Sequence, residues 1–233
     1  MRPIFIFLIA LLGCGDTGQP RVRYSAEVLS APAASLSVGA WTVTMQTASV
    51  AFGPLYLCAA ASGSATLCET AVGELVAVHR LDLLVDRQAL GDVRGLEGEV
   101  RSASFDYGIH WLLTEEGPRA APEAPGGHSA VFTGTAVRGS ESLRFEANID
   151  VVASYQGQRA VPSIAASGLV DETTTGLEIA FDVGRWIGAL DFDDVAALPG
   201  DPKRIAPGDD LHNALVLAMG VNAPPELHWL PER

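Results

Sequence analysis

The chain has 233 residues, of which 48% are hydrophobic and 18% charged, with a formal net charge of −13. This is ample apolar material for one or two packed domains, and it excludes global disorder, which combines low hydrophobicity with high charge. The 28 acidic residues outnumber 15 basic ones and Lys203 is the sole lysine, so a phosphate backbone would be repelled and nucleic acid is excluded as a partner.

Met1 and Arg2 form a short basic start, and Ile4 to Leu12 follow as nine uninterrupted apolar residues. A membrane span needs about 20 such residues, so this run fits the hydrophobic region of a secretory signal peptide instead. It ends in Leu11-Leu12-Gly13-Cys14, which resembles the lipobox of bacterial lipoproteins: an aliphatic residue at −3, a small one at −1 and cysteine at +1. The resemblance implies cleavage before Cys14 by signal peptidase II, after diacylglycerol is attached to the thiol, and acylation of the new amino group. Several acyl chains make a stable anchor, whereas one alone is marginal. In that family aspartate after the cysteine marks retention in the inner membrane. Gly15 stands there, so the resemblance implies the outer membrane, facing the periplasm. It covers only these residues and implies nothing about the folded part.

The division expected is therefore a signal peptide 1–13, a lipidated tether 14–21 and a single β-rich domain 22–233. A two-lobed arrangement parted at 117–127 is the alternative. Within the domain, Trp41, Val43 and Met45 alternate with polar residues, and Leu55 to Cys58 continue beyond Gly53-Pro54; both stretches read as strands. Cys58 and Cys68 enclose a small, turn-prone segment. Two cysteines in an exported protein point to a disulfide, and their spacing is not that of a zinc site. Val76 to Val85 is apolar but ambiguous between strand and helix. Ala103, Phe105, Tyr107, Ile109 and Trp111 recur at period two, which places them on one sheet face. Gly117 to Gly127 is rich in proline and glycine and reads as a surface loop.

The clearest local signal is a β-hairpin, 130–137 and 143–152, around Arg138 to Ser142. Leu177, Ile179, Phe181 and Val183 form another alternating strand, and Trp186 to Leu190 read as one helical turn. Pro207 to Asp210 supply turn and cap chemistry for a final helix carrying Leu211, Leu215, Ala218 and Met219 on one face. Eight to ten strands and one late helix predict a mainly β fold, an antiparallel β-sandwich or open barrel with one C-terminal covering helix.

Catalytic motifs are absent. There is no G-x-S-x-G, no H-E-x-x-H, no Walker A motif and no EF-hand loop, and Gly200 three residues before Lys203 excludes Ser-x-x-Lys. Five histidines are dispersed along the chain, and His110, His128 and His228 are the candidate ligands for zinc or copper if the fold gathers them. Asp191, Asp193 and Asp194 with Asp209 and Asp210 offer oxygen donors for calcium, but a solvated acidic turn and a helix cap are the favoured reading. Trp186 and Trp229 are the better candidates for exposed aromatics, with Trp41 and Trp111 assigned to the core.

The favoured reading is a non-enzymatic binding or structural module, held to the membrane through an N-terminal lipid, that engages an envelope protein or glycan. It needs no cofactor. The alternatives are a periplasmic zinc- or copper-binding protein and a carbohydrate-active enzyme using a carboxylate pair.

Overall fold

The computed structural model describes residues 18–31, 35–61, 68 and 71–231. The signal peptide and Cys14 lie outside the described residues. The first half of the chain forms β1 (Arg21–Ser30), β2 (Leu36–Val38), β3 (Trp41–Phe52), β4 (Leu55–Cys58), β5 (Ala71–Leu75), β6 (His79–Asp82), β7 (Arg87–Leu96) and β8 (Gly98–Phe105). Two short strands follow, β9 (Ile109–His110) and β10 (Arg119–Ala120), and then the hairpin β11 (Ala130–Arg138) and β12 (Glu141–Ile149). The remainder is β13 (Val161–Val170), β14 (Thr174–Phe181), α1 (Val183–Ile187), α2 (Phe192–Ala197), β15 (Lys203–Ile205), α3 (Asp210–Leu217) and β16 (Glu226–Pro231).

The strands make an eight-stranded sheet in the order β13-β8-β4-β5-β7-β1-β14-β16 and a six-stranded sheet built on β15-β12-β11-β3-β2, with β6 also paired to β3. The mainly β fold predicted from the alternation is therefore present, as is the late helix α3. Pairing is mostly antiparallel, but β1 with β14 and β12 with β15 run parallel. The larger sheet coils until its two edge strands nearly meet. Trp229 on β16 lies across Gly168 on β13, where a Cβ would stand 2.2 Å from the indole nitrogen. Only glycine permits that approach.

Periodicity explains most of this. In β1, Tyr24, Ala26 and Val28 are buried while Arg21, Arg23, Ser25 and Glu27 face outward or are partly covered, as one core-facing side requires. β3 and β4 belong to different sheets, so the chain crosses between them at Gly53-Pro54. Phe52 from the smaller sheet meets Phe105 and Phe181 from the larger at ring-centre distances of 5.1 and 5.4 Å. Trp186 of α1 fills the space between the sheets, 5.8 Å from Phe181 and 6.1 Å from Phe132. Its indole N–H donates to the Ala223 carbonyl at 2.7 Å. Each ring so buried contributes about 1.5–3 kcal/mol, and each edge-to-face pair about 0.5–1.5 kcal/mol more. Buried side chains from both sheets form one hydrophobic cluster.

Several local expectations need correction. The chain does not close on its helix: α3 runs into a π-helical turn, Ala218–Asn222, and then β16 pairs antiparallel with β14. The five residues between prolines, Glu226 to Leu230, are too few to show a period. Val76 to Val85 contains strand β6 and a turn, because pairing with β3 decides what its composition left open. The loop at 117–127 contains β10 and a short 3-10 turn, Pro125–Gly127. Val183 belongs to α1, whose N-cap is Asp182, its carboxylate accepting from the Arg185 N–H.

Candidate functional site

The three histidines proposed as ligands sit on separate elements. His110 lies on β9, His128 follows the 3-10 turn before β11, and His228 lies on the edge strand β16. Among the described residues no group of three or more His, Cys, Asp or Glu side chains is placed to hold a metal ion. The fold does not gather these three, since each is tied to its own surroundings. His228 is 3.8 Å from Glu226 two residues away on its strand. His110 is close enough to Asp106 to act on its ionisation.

His128 has a more developed environment, and its partners come from distant positions. Its Nδ1 donates to Asp150 Oδ1 at 2.8 Å. The backbone N–H of Asp150 in turn donates to Nε2 of His212 on α3 at 3.1 Å. His212 therefore carries its ring proton on Nδ1, and that atom is buried without a hydrogen-bond partner. A His–Asp dyad is the orienting half of a nucleophilic site, and Ser129 is adjacent. Its hydroxyl, however, is fully buried and bonded to the backbone of Val151, accepting from the N–H at 3.0 Å and donating to the carbonyl at 3.4 Å. Ser129 thus splints the start of β11 to the end of β12 and presents no nucleophile to His128. Asp150 and His212 were missed because 22 and 62 residues separate these contacts, and only the hairpin and the packing of α3 join them.

A second polar cluster lies on the opposite face of β8 from its predicted apolar side. Ala103, Phe105, Tyr107 and Ile109 are buried as expected, but so are Ser102, Ser104 and Asp106 between them. Asp106 is fully enclosed. It accepts from Arg159 Nη1 and from the Ala160 N–H, both at 2.7 Å. Burial outweighs these bonds and holds the Asp106 carboxyl above its ordinary value. Arg159 is 9% exposed and stacks 4.7 Å over the Tyr56 ring, while its Nε has no partner. Ser102 donates to the Ala60 carbonyl at 2.7 Å. Cys58 and Cys68 form the disulfide, with Cα atoms 5.4 Å apart, and the Cys68 sulfur is 3.8 Å from the Ser104 hydroxyl. The cluster is a structural pin for the 153–160 segment.

The acidic run at 191–194 opens α2. Asp191 caps it by accepting from the Asp193 N–H at 2.8 Å, and Asp193 accepts from Trp41 Nε1 at 3.2 Å and pairs with Arg138. Asp209 occupies the N-cap position of α3, but its carboxylate turns back to accept from the Ala206 N–H at 2.9 Å. Capping and pairing thus occupy Asp191, Asp193 and Asp209, while Asp194 and Asp210 stand in the first turns of α2 and α3.

The tryptophan assignments divide. Trp41 is buried as expected. Trp186 is the largest fully buried side chain, and Trp229 is partly covered against Tyr24 and Gly168, so neither is an exposed platform. Among the described residues the exposed aromatic is Tyr155, which no periodicity marked. The surface has shallow depressions, one of about 420 Å³ lined by Thr114 to Arg119 and another of about 300 Å³ between the ends of β1 and β14 and the segment before β16. No protein-family model, curated protein or solved structure matches the chain.

Proposed function

We propose that the chain is a lipid-anchored protein of the bacterial cell envelope whose β-rich domain serves as a non-enzymatic binding or structural module. The observation that carries this reading is the apolar run Ile4 to Leu12 ending in Leu11-Leu12-Gly13-Cys14, with β1 beginning at Arg21, seven residues beyond the cysteine. A tether that short keeps the domain within about 25 Å of its anchor. Removing residues 1–13 takes away a hydrophobic stretch and Arg2 but no acid, so the anchored protein is more acidic than its precursor. The Cys58–Cys68 bridge accords with an oxidising compartment outside the cytoplasm. The non-catalytic reading is supported by the state of the His128–Asp150 dyad, whose neighbouring hydroxyl is spent on backbone bonds.

Replacement of Cys14 tests the anchor. The Cys14→Ser protein should lose incorporation of labelled fatty acid and move from the membrane to the soluble envelope fraction. Unchanged labelling and unchanged membrane fractionation would refute the assignment.

A further inference from the structure

Among the described residues, three of the exposed large apolar side chains stand together on a pair of loops that are locked to one another. Leu112, Leu113 and Tyr155 are 43%, 74% and 68% exposed. Gln156 Nε2 donates to the carbonyls of Leu113 and Glu115 at 2.9 and 2.7 Å, and the Gly157 N–H donates to the Trp111 carbonyl at 2.7 Å. Trp111 Nε1 adds a bond to the Glu115 carbonyl at 3.2 Å. Gly157 has a φ of +79°, and a Cβ on it would stand 2.6 Å from Leu113 Cδ2, so Leu113 is seated directly on this backbone. The buried Asp106–Arg159 pair holds the second loop from beneath. Exposed apolar groups on a fixed scaffold have little ordering entropy left to lose on association, and such patches mark interaction sites.

Topology places the platform. The Glu97 N–H donates to the Pro20 carbonyl beside the start of β1, and β8 runs from Gly98 away from that point to Phe105. Val161, the first residue of β13, pairs with Phe105. Both loops thus stand at the end of the eight-stranded sheet opposite the tether, which on the lipid-anchor reading faces away from the anchor. The rim carries one net negative charge: the largely covered Glu115 is paired with the exposed Arg119 at 3.5 Å, and Glu116 stands exposed beside the leucines. A second copy, itself at −13, would be repelled by charge.

We propose that Leu112, Leu113 and Tyr155 form a docking surface for a protein partner presenting an apolar patch ringed by lysine or arginine. The orientation toward the envelope rests on the anchor reading; the surface itself does not. The test places a benzophenone amino acid at position 113 of the full chain in its native envelope, with position 169 as the control, since Leu169 is equally exposed near the tether end of β13. Irradiation should give a protein adduct from 113 and not from 169. The partner peptide found in that adduct should be apolar and net basic. Its yield should fall about threefold in Glu116→Gln protein or at high salt, and be lost in Tyr155→Glu protein. Equal adducts from both positions, an adduct only with lipid, glycan or a second copy, no adduct, or insensitivity to salt and to the substitutions would each overturn the proposal. Fractionation of Cys14→Ser protein reads the anchor separately, so failure of one leaves the other readable.

Discussion

Asp106 and Arg159 form a buried ion pair whose removal one side at a time should be far worse than its removal as a unit. Asp106→Ala deletes two 2.7 Å hydrogen bonds and leaves a guanidinium enclosed, with its Nε already unpartnered. Breaking a buried pair in this way costs about 3–5 kcal/mol. Asp106→Ala combined with Arg159→Met removes the stranded charge and keeps apolar contact with Tyr56, so about half of that loss should return. Asp106→Asn should fall between wild type and Asp106→Ala, because its Oδ1 still accepts from Ala160. The assay is urea unfolding followed by tryptophan fluorescence, with Trp186 deep between the sheets as reporter. The pH profile adds a sign. Burial raises the folded-state value of this carboxyl above 3.8, so the folded protein holds a proton that the unfolded chain has released. The stability linked to that proton is present below pH 3.8 and is lost as pH rises through the folded-state value. Asp106→Asn should abolish this component. Additive losses in the double variant, or a cost below about 1 kcal/mol for Asp106→Ala, would refute the account of the cluster.

Two further outcomes follow from the same surroundings. His79 is lowered from 6.5, first by burial and against the pull of Glu123, and its Nε2 has no partner. The unfolded chain therefore binds this proton first on acidification, and stability falls as pH drops from 6.5 through the lower folded-state value; denaturation midpoints of His79→Gln protein between pH 5 and 7.5 should be flatter than those of wild type, and an unchanged slope would contradict the assignment. The Cys58–Cys68 bridge spans a separation of 10 residues, for which the chain-entropy account gives about 2–3 kcal/mol; a Cys58→Ser/Cys68→Ser protein that loses nothing in calorimetry or urea unfolding would contradict it.

What the sequence revealed tracks the range of the forces involved. The hairpin β11–β12, the strand β14 and the covered face of β8 rest on period two within a few residues, and alternation reports exactly that local requirement of one buried side. The parallel pairing of β1 with β14 joins residues about 150 apart and that of β16 with β14 residues about 50 apart, and a run as short as Glu226 to Leu230 carries no address for such a partner. Phe105-Asp106-Tyr107-Gly108 and Phe181-Asp182-Val183-Gly184 show the same limit. Both phenylalanines end a strand and meet Phe52, yet Asp106 is buried against Arg159 while Asp182 caps α1. The shared Phe, Asp and Gly report strand-end chemistry and do not separate these roles.

Site chemistry was less legible because it depends on both faces of a strand. Period two in β8 marked Ala103, Phe105 and Tyr107 and implied that Ser102, Ser104 and Asp106 faced water. They are buried where Ala60, Cys68 and Arg159 lie against that side, and polar side chains accept such burial only when each finds a hydrogen-bond partner. The same cover explains why Tyr155 and Leu113 are exposed. The 153–160 segment spends Arg159 inward on Asp106 and Gln156 on the carbonyls of the facing loop, which leaves its aromatic side chain, Tyr155, exposed to solvent. A docking surface in this fold is thus a consequence of how a buried charge is satisfied. Loss of Asp106 should therefore loosen the platform at Leu113 before it unfolds the sheets, because β8 keeps its ladders to β4 and β13.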